Sequence, residues 1–410
     1  MNIEIIKGGL IIMNTKELIE SEKKYVFQTY AQPPMVLDRG EGMKVWDLDG
    51  NLYYDYIGGI AVNGLGYCYP KIVKAIQNQA KKLIHCSNLF FHAPQITLAK
   101  KLVENSCGDK VFFANSGAEA NEGAIKLAVK YFKAQNKDKY KIIYMKDSFH
   151  GRTIATLAAT GKQKYQKDYL KLLPDFNQAS FNDLNSVKKA YDEKVAAILV
   201  EPVQGEGGIN IASHEFLEGL RYFCDEKDIL LIFDEVQCGM GRTGKMFAHQ
   251  NYNVEPDIIT IAKSLGGGMP IGALIAKDKI AGVFKPGDHG TTFGGNPVVC
   301  AAALANLEVL EEENLLVKSL ERGKYFQRKF EELKTKYPEY IKEIRIIGLM
   351  VGIEVAKDGP KVVKKCFEEG ILMNCTAGNV LRFLPPLIIE EKDIDYLINI
   401  LDKIFDGINK

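Results

Sequence analysis

The sequence predicts an α/β protein built on a mostly parallel sheet and followed by an α+β segment. Two observations predict it. Between Lys110 and about Ala276, short apolar runs rich in β-branched residues (KVFFA, YKIIYM, VAAILV, ILLIFDE, DIITIAK and GALIA) alternate with helical stretches, the rhythm of strands joined by crossover helices that cover both faces. From Pro297 two long helical runs, expected to be amphipathic, give way to IRIIGLMVGIEV, a helix near Val362, ILMN, VLRFLPPL and a final helix. That second rhythm predicts a C-terminal unit packing with an N-terminal hairpin around the central sheet.

At the start, the short apolar leader Met1 to Ile12 precedes a second methionine, Met13, which offers an alternative start ahead of a helix signal: Asn14 as N-cap with Glu17 three residues on. In VWDLDGNLYYDY, apolar residues alternate around Asp49-Gly50, which predicts a hairpin closed by a two-residue turn. Pro70 and Pro94 each open a helical stretch, because proline fits the first turn of a helix. Ser213 precedes another, and a long helix begins near Ala118. No internal repeat or low-complexity tract interrupts this order.

The chain has 410 residues, 46% hydrophobic and 26% charged, a globular composition long enough for about two to three domains. The expected units are an N-terminal segment over 1–65, a large domain over 66–300 and a C-terminal unit over 301–410. Lys+Arg 53 against Asp+Glu 52 leaves a formal charge of +1, so neither nucleic acid nor an anionic membrane is indicated as the main partner. The eight cysteines include no C-x-x-C pair, which argues against a zinc ribbon or a disulfide scaffold and for a reducing, cytoplasmic home. The six histidines lack H-E-x-x-H spacing, so no metal is expected. Neither a membrane span nor a signal peptide is evident.

Four features carry chemistry. NSGAEANE, from Asn115 to Glu122, lies between a strand and a helix, where Ser116 and Gly117 let free amides approach a phosphate at the positive end of the helix dipole; an ordinary strand-to-helix turn has the same composition. In ILLIFDEVQCGMGRTG an apolar strand ends in Asp234 and Glu235, where ligands of open α/β sheets sit, although caps also use such carboxylates. In DIITIAKSLGGGMPIG, Lys263 emerges from a strand into three glycines, either as an edge lysine or, with the anion site and Asp234, as the Schiff-base amine of a pyridoxal phosphate enzyme. Arg152 in SFHGRT and Arg382 in VLRFLPP are the last pair. Arg382 interrupts an apolar run and so needs a carboxylate or phosphate partner, whether structural or substrate, with Glu206 of EPVQGEGG available.

These segments together with PDIITIAKSLGGGMPIGA and HGTTFGGNP, in this order and spacing, resemble the class III aminotransferases of the ornithine/acetylornithine type, from about Tyr30 to the final helix. The resemblance implies the fold type I of pyridoxal-phosphate-dependent transferases: a large domain with a mainly parallel seven-stranded sheet, a small α+β domain formed by both chain ends, and a homodimer with shared sites. It implies the cofactor pyridoxal 5'-phosphate. It also implies transfer of the δ-amino group of N2-acetylornithine to 2-oxoglutarate, giving glutamate, in arginine biosynthesis. Ornithine, 4-aminobutyrate and N-succinyl-diaminopimelate are alternative donors, and a glutamate-1-semialdehyde type aminomutase is a further alternative that Arg152 counts against.

Position by position, the resemblance makes Lys263 the Schiff-base and proton-shuttling lysine and Asp234 the partner of the pyridinium nitrogen. Ser116, Gly117 and Ala118 would bind the phosphate, Phe149 would stack on the ring, Gln237 would reach the phenolic oxygen, and Glu235 and Val236 would complete the cofactor site. Thr292 would be supplied by the neighbouring subunit. Arg152 would grip the distal carboxylate and Arg382 the α-carboxylate of glutamate or 2-oxoglutarate, with Glu206 masking Arg382 in the first half-reaction; Thr291 would contact acetylornithine. The chain departs from the family at Tyr67, Cys68 and Tyr69 (commonly G-H-x-H-P) and at Gln32 (commonly arginine). Gly59 stands where ornithine enzymes carry a tyrosine for the free α-amine, which favours an acylated donor.

Overall fold

A computed structural model describes residues 14–409 and two short strands ahead of them, Glu4–Ile6 and Gly9–Ile11, which pair antiparallel. Met13 lies outside the described residues. Asn14 caps the helix Thr15–Tyr25 as its sequence predicts: Asn14 Oδ1 accepts the Glu17 amide and Glu17 Oε2 accepts the Asn14 amide, both at 3.0 Å.

Seven strands make the central sheet, in the spatial order Lys110–Ala114, Gly272–Ala276, Ile258–Ile261, Leu230–Asp234, Val195–Val200, Lys141–Met145 and Asn177–Ala179. Gly272–Ala276 runs antiparallel to both neighbours, and every other pairing is parallel. Val195–Val200, Leu230–Asp234, Ile258–Ile261 and Gly272–Ala276 are buried at every residue, which is why they read as unbroken apolar runs. The edge strand Asn177–Ala179 has only Ala179 as an apolar, buried residue and so shows no such run.

Two smaller four-stranded sheets follow. One pairs Ile341–Ile347, Met350–Val355, Val380–Phe383 and Asn374–Thr376 in that order. In the other, Leu37–Glu41, Lys44–Asp47 and Leu52–Asp55 meander antiparallel, and Ile371–Leu372 joins parallel to Leu52–Asp55. Both chain ends therefore share one sheet.

Two expectations need correction. The hairpin around Asp49-Gly50 has a longer closure than a two-residue turn: the Gly50 amide bonds to the Asp47 carbonyl and the Asp47 amide to the Asn51 carbonyl, both at 3.1 Å, and Gly50, not Asp49, takes a positive φ of 86°. The cause is Asp47, whose Oδ1 accepts the amides of Asp49 and Asn51 at 3.0 and 2.8 Å and so stabilises a three-residue loop. The helix Pro297–Glu312 is buried nearly all round rather than amphipathic, since it is packed between Pro70–Ala80, Ala93–Glu104 and the Lys263–Gly266 turn. The next helix, Leu315–Lys336, has the expected single buried stripe. All eight cysteines are free thiols.

Candidate active site

The carboxyl ends of the parallel strands converge on one cleft. Its cavity, of about 490 Å³, is lined by Ser116, Gly117, Ala118, Phe149, Arg152, Glu206, Asp234, Val236, Gln237 and Lys263, among others. A larger groove of about 710 Å³ runs along the outer face of Gly117–Lys133 and contains none of these groups. Chemistry, not size, selects the smaller one.

Ser116 follows the strand Lys110–Ala114 and caps the 17-residue helix Gly117–Lys133, its Oγ accepting the Glu119 amide at 3.1 Å. The Ala120 amide is taken by the Ser116 carbonyl, which leaves Gly117 and Ala118 to present their amides to the cleft at the positive helix end. Close packing demands glycine here: a Cβ on Gly117 would lie 2.7 Å from Val236 Cγ1, and one on Gly272 would lie 2.3 Å from the Ser116 carbonyl oxygen.

Asp234 ends its strand in register with Thr260 and is held on both oxygens. Oδ2 accepts from Asn121 Nδ2 at 2.8 Å and pairs with His150 Nδ1 at 2.7 Å, while Oδ1 accepts the Val236 amide at 2.9 Å. Thr260 Oγ1 donates to Asn121 Oδ1 at 2.6 Å and fixes that amide in turn. A buried carboxylate so oriented can hold a cationic ligand group at the cleft floor.

Lys263 lies two residues past the strand Ile258–Ile261 and takes φ +45°, a left-handed conformation rare for a long side chain. Its amine makes no hydrogen bond among the described residues. Burial lowers its pKa below the usual lysine range, Glu206 pulls it back up, and Arg382 pushes it down again. An amine so biased is a better nucleophile and proton acceptor than an ordinary lysine.

Above the floor, the Phe149 amide donates to Glu201 Oε2 at 3.0 Å, and the Arg152 guanidinium lies 3.8 Å from the Tyr165 ring centroid and 5.6 Å from that of Phe149. Arg152 has no ion pair among the described residues, so its donors stay available. Behind Glu206, which lines the cleft, Arg382, 1% exposed, donates from one terminal nitrogen to Glu206 Oε1 at 2.5 Å and from Nε to Asn374 Oδ1 at 3.1 Å. Burial alone would raise the Glu206 carboxyl, but Arg382, Lys263 and Lys162 outweigh it and hold it below the usual carboxylate range. Glu201 has no such partner, and burial pushes it up to about 7, opposed by His150 and reinforced by Asp234.

Arg382, Glu235, Thr291 and Thr292 do not line this cavity, Arg382 meeting it only through Glu206 and Thr292 being the residue expected to serve a neighbouring subunit. Glu235 turns away from the cleft; its carboxylate accepts the Ala248 amide, the His249 amide at 2.9 Å and pairs with His249 Nδ1 at 2.9 Å. Thr291 and Thr292 line a separate surface cavity beside Asn115 and Glu119, where Thr291 Oγ1 accepts Asn115 Nδ2 at 3.1 Å. Conversely, Asn121, His150 and Glu201 belong to the cleft without having been singled out, although each lies inside a quoted motif. Asn121 is four residues after Gly117 and so on the same helix face.

A helix terminus for an anion, a buried carboxylate for a cation, a desolvated lysine and two arginines around one cleft define a class rather than a single enzyme. The chain belongs to the class-III aminotransferases, whose family pattern matches residues 25–405. Among its relatives are the acetylornithine aminotransferase of Methanocaldococcus jannaschii, 55% identical over 97% of this chain and 100% of that one, and that of Caldanaerobacter subterraneus subsp. tengcongensis, 52% identical over 95% and 100%. The structure is similar to that of ornithine aminotransferase from Toxoplasma gondii ME49, with a TM-score of 0.93 at 34% identity over 97% of this chain and 96% of that one. A second structure of the Toxoplasma gondii enzyme, with partial occupancy of PLP at its active site, matches with a TM-score of 0.91 at 34% identity over 97% and 95%.

Proposed function

We propose that this chain transfers the δ-amino group of N2-acetylornithine to 2-oxoglutarate, yielding N-acetylglutamate 5-semialdehyde and glutamate for arginine biosynthesis, with pyridoxal 5'-phosphate as cofactor. The cleft suits that cofactor on its own chemistry. The Gly117–Ala118 amides suit a phosphate, Asp234 suits a protonated ring nitrogen, and Phe149 and Val236 offer apolar faces. Gln237, whose buried Oε1 has no hydrogen-bond partner, offers an uncommitted amide. When bound, pyridoxal phosphate supplies an electron sink for the pair released as a substrate C–H bond breaks. Lys263 takes that proton at Nζ and returns it to the neighbouring position, while Asp234, held by Asn121 and His150, keeps negative charge fixed at the cleft floor.

The observation that carries the donor and acceptor assignment is the Glu206–Arg382 pair. Acetylornithine brings only an apolar chain to the carbon that reacts, so a masked Arg382 suits it; its distal carboxylate goes to Arg152. Glutamate and 2-oxoglutarate carry a carboxylate beside the reacting carbon, which Arg382 can grip once Glu206 swings aside. One pocket then serves both halves. The exposed Leu89, Phe90, Phe91 and Phe293, 61% to 95% accessible in the single chain, are tied to the Thr291 loop by Asn88 Nδ2, which donates to the carbonyls of Thr291 and Gly294 at 3.2 and 3.1 Å. That apolar patch supports a homodimer in which exposed Thr292 completes the partner's phosphate site.

Steady-state kinetics test the donor, measured on the species of twice the chain mass that sedimentation should find. With 2-oxoglutarate as acceptor, kcat/KM for acetylornithine should exceed that for ornithine, 4-aminobutyrate or N-succinyl-diaminopimelate by at least about tenfold, roughly 1.4 kcal/mol. A preference for any of the other three would overturn the assignment.

A further inference from the structure

The Glu206–Arg382 pair is framed by residues for which no role has been assigned. Glu206 sits between Gly205, Gly207 and Gly208 in the loop joining the paired strands Val203–Gln204 and Asn210–Ile211. Asn210 Nδ2 holds the Gly207 carbonyl at 3.1 Å and Arg345 that of Gly208 at 2.9 Å, so the glycine-flanked Glu206 peptide is the part left to be fixed. Its carbonyl oxygen receives two hydrogen bonds from different parts of the chain: Lys162 Nζ at 2.5 Å and Thr376 Oγ1 at 2.5 Å. Lys162 follows the helix Ile154–Ala158, beyond Arg152, and Thr376 ends the strand Asn374–Thr376. That same strand pairs with the strand bearing Arg382, Asn374 lying opposite Arg382 and Thr376 opposite Val380, and Asn374 holds Arg382 Nε. One short strand thus ties down both members of the ion pair, the arginine through its side chain and the glutamate through its backbone.

We propose that Lys162 and Thr376 are positioning residues that fix the Glu206 backbone as a pivot, so that passing from donor to acceptor needs only rotation of the Glu206 side chain. This rests on the reading of Glu206 as the mask of Arg382. The fixed carbonyl keeps the carboxylate within reach of Arg382, and Asn374 keeps the arginine aimed at the cleft after Glu206 leaves. A loosened pivot lowers the fraction of time that Arg382 is masked. Ligands that need a bare Arg382 gain by that change in population, and the donor that needs it covered loses.

Glutarate, a five-carbon dicarboxylate with no reacting group, reads the unmasked arginine directly by calorimetry on the cofactor-loaded enzyme. Thr376→Val removes the hydroxyl at nearly constant shape and should tighten glutarate roughly three- to tenfold, the scale of one lost hydrogen bond. Thr376→Ser keeps the hydroxyl and should bind glutarate as the parent does. Should the valine variant fold poorly, Lys162→Met removes the other tie from a half-buried position and should shift binding the same way. In single-turnover runs the acetylornithine half-reaction of Thr376→Val should slow while the glutamate half does not. Glu206→Ala provides the reference: it should tighten glutarate at least as much. If it does so while Thr376→Val and Lys162→Met bind like the parent, the pivot is wrong and the mask stands. If Glu206→Ala leaves glutarate binding unchanged, both fall. Equal slowing of the two half-reactions in Thr376→Val would mark a merely structural role and overturn the proposal.

Discussion

Lys263→Ala is expected to abolish amino transfer, lowering kcat by at least ~10⁴-fold, about 5 kcal/mol of barrier, because the variant lacks the one amine placed to carry the substrate proton. It should not harm the fold. The Lys263 amine makes no hydrogen bond among the described residues, so its removal breaks none; the cost of its burial is offset by attraction to Glu206, Asp234 and Glu201, and both go with the amine. Alanine keeps the Cβ, and with it the cost of the φ +45° conformation. The thermal midpoint of the cofactor-free variant should therefore stay close to that of the parent. Equilibrium dialysis should still find pyridoxal phosphate bound through the Gly117–Ala118 amides and Asp234. Substantial turnover by the purified variant without added amine would refute the role given to Lys263.

Asp234→Asn should cost about 10² to 10³ in the proton-transfer step, roughly 2.7 to 4 kcal/mol, the range for removing one preorganised charged or donor group. The amide has one acceptor oxygen where the carboxylate has two, and the parent uses both: Asn121 and His150 on Oδ2, the Val236 amide on Oδ1. His150 can adapt, because its Nε2 has no partner among the described residues and the ring can take its other tautomer. The new amide nitrogen then meets the Asn121 donor on the same side, or the Val236 amide on the other, so one hydrogen bond is lost at a modest cost in stability. The expected result is an intact fold with a slow chemical step. Stopped-flow measurement of the first half-reaction within about tenfold of the parent would show that the charge stabilising the reaction lies elsewhere.

The residues that were legible in the sequence share a physical reason. The buried central strands are covered on both faces, so they appear as continuous β-branched runs, and their carboxyl ends deliver Asp234 and Lys263 to the cleft. The edge strand Asn177–Ala179 was not legible because a short polar edge carries no periodic signal. The helix Pro297–Glu312 hid its surroundings for the opposite reason: its small and apolar residues face neighbours on nearly every side. Asp47, which reshapes the hairpin loop, acts through backbone amides and leaves no hydrophobic trace.

Glu235 follows directly on the strand that ends in Asp234. Successive strand residues point to opposite faces, so of the Asp234-Glu235 pair only one carboxylate can face the cleft, and the other must find partners behind it, as Glu235 does at Ala248 and His249. Thr291 and Thr292 pose a different problem, since a site shared between chains is incomplete in either chain alone. Glu201 was not legible because nothing in a lone acidic residue foretells that burial will push its carboxyl up to about 7. The pivot residues Lys162 and Thr376 act on a backbone carbonyl across long sequence distances, a contact that only the folded chain reveals.

The central claim is that one cleft alternates between a donor needing Arg382 masked and an acceptor needing it bare. Single-turnover rates of the two half-reactions in Arg382→Lys test it most directly. Exchanging a bidentate grip for a point charge should slow the glutamate half by roughly 30- to 150-fold, on the order of 2 to 3 kcal/mol, and leave the acetylornithine half within about threefold of the parent. Equal slowing of both halves would contradict the account and require the two arginines to be reassigned.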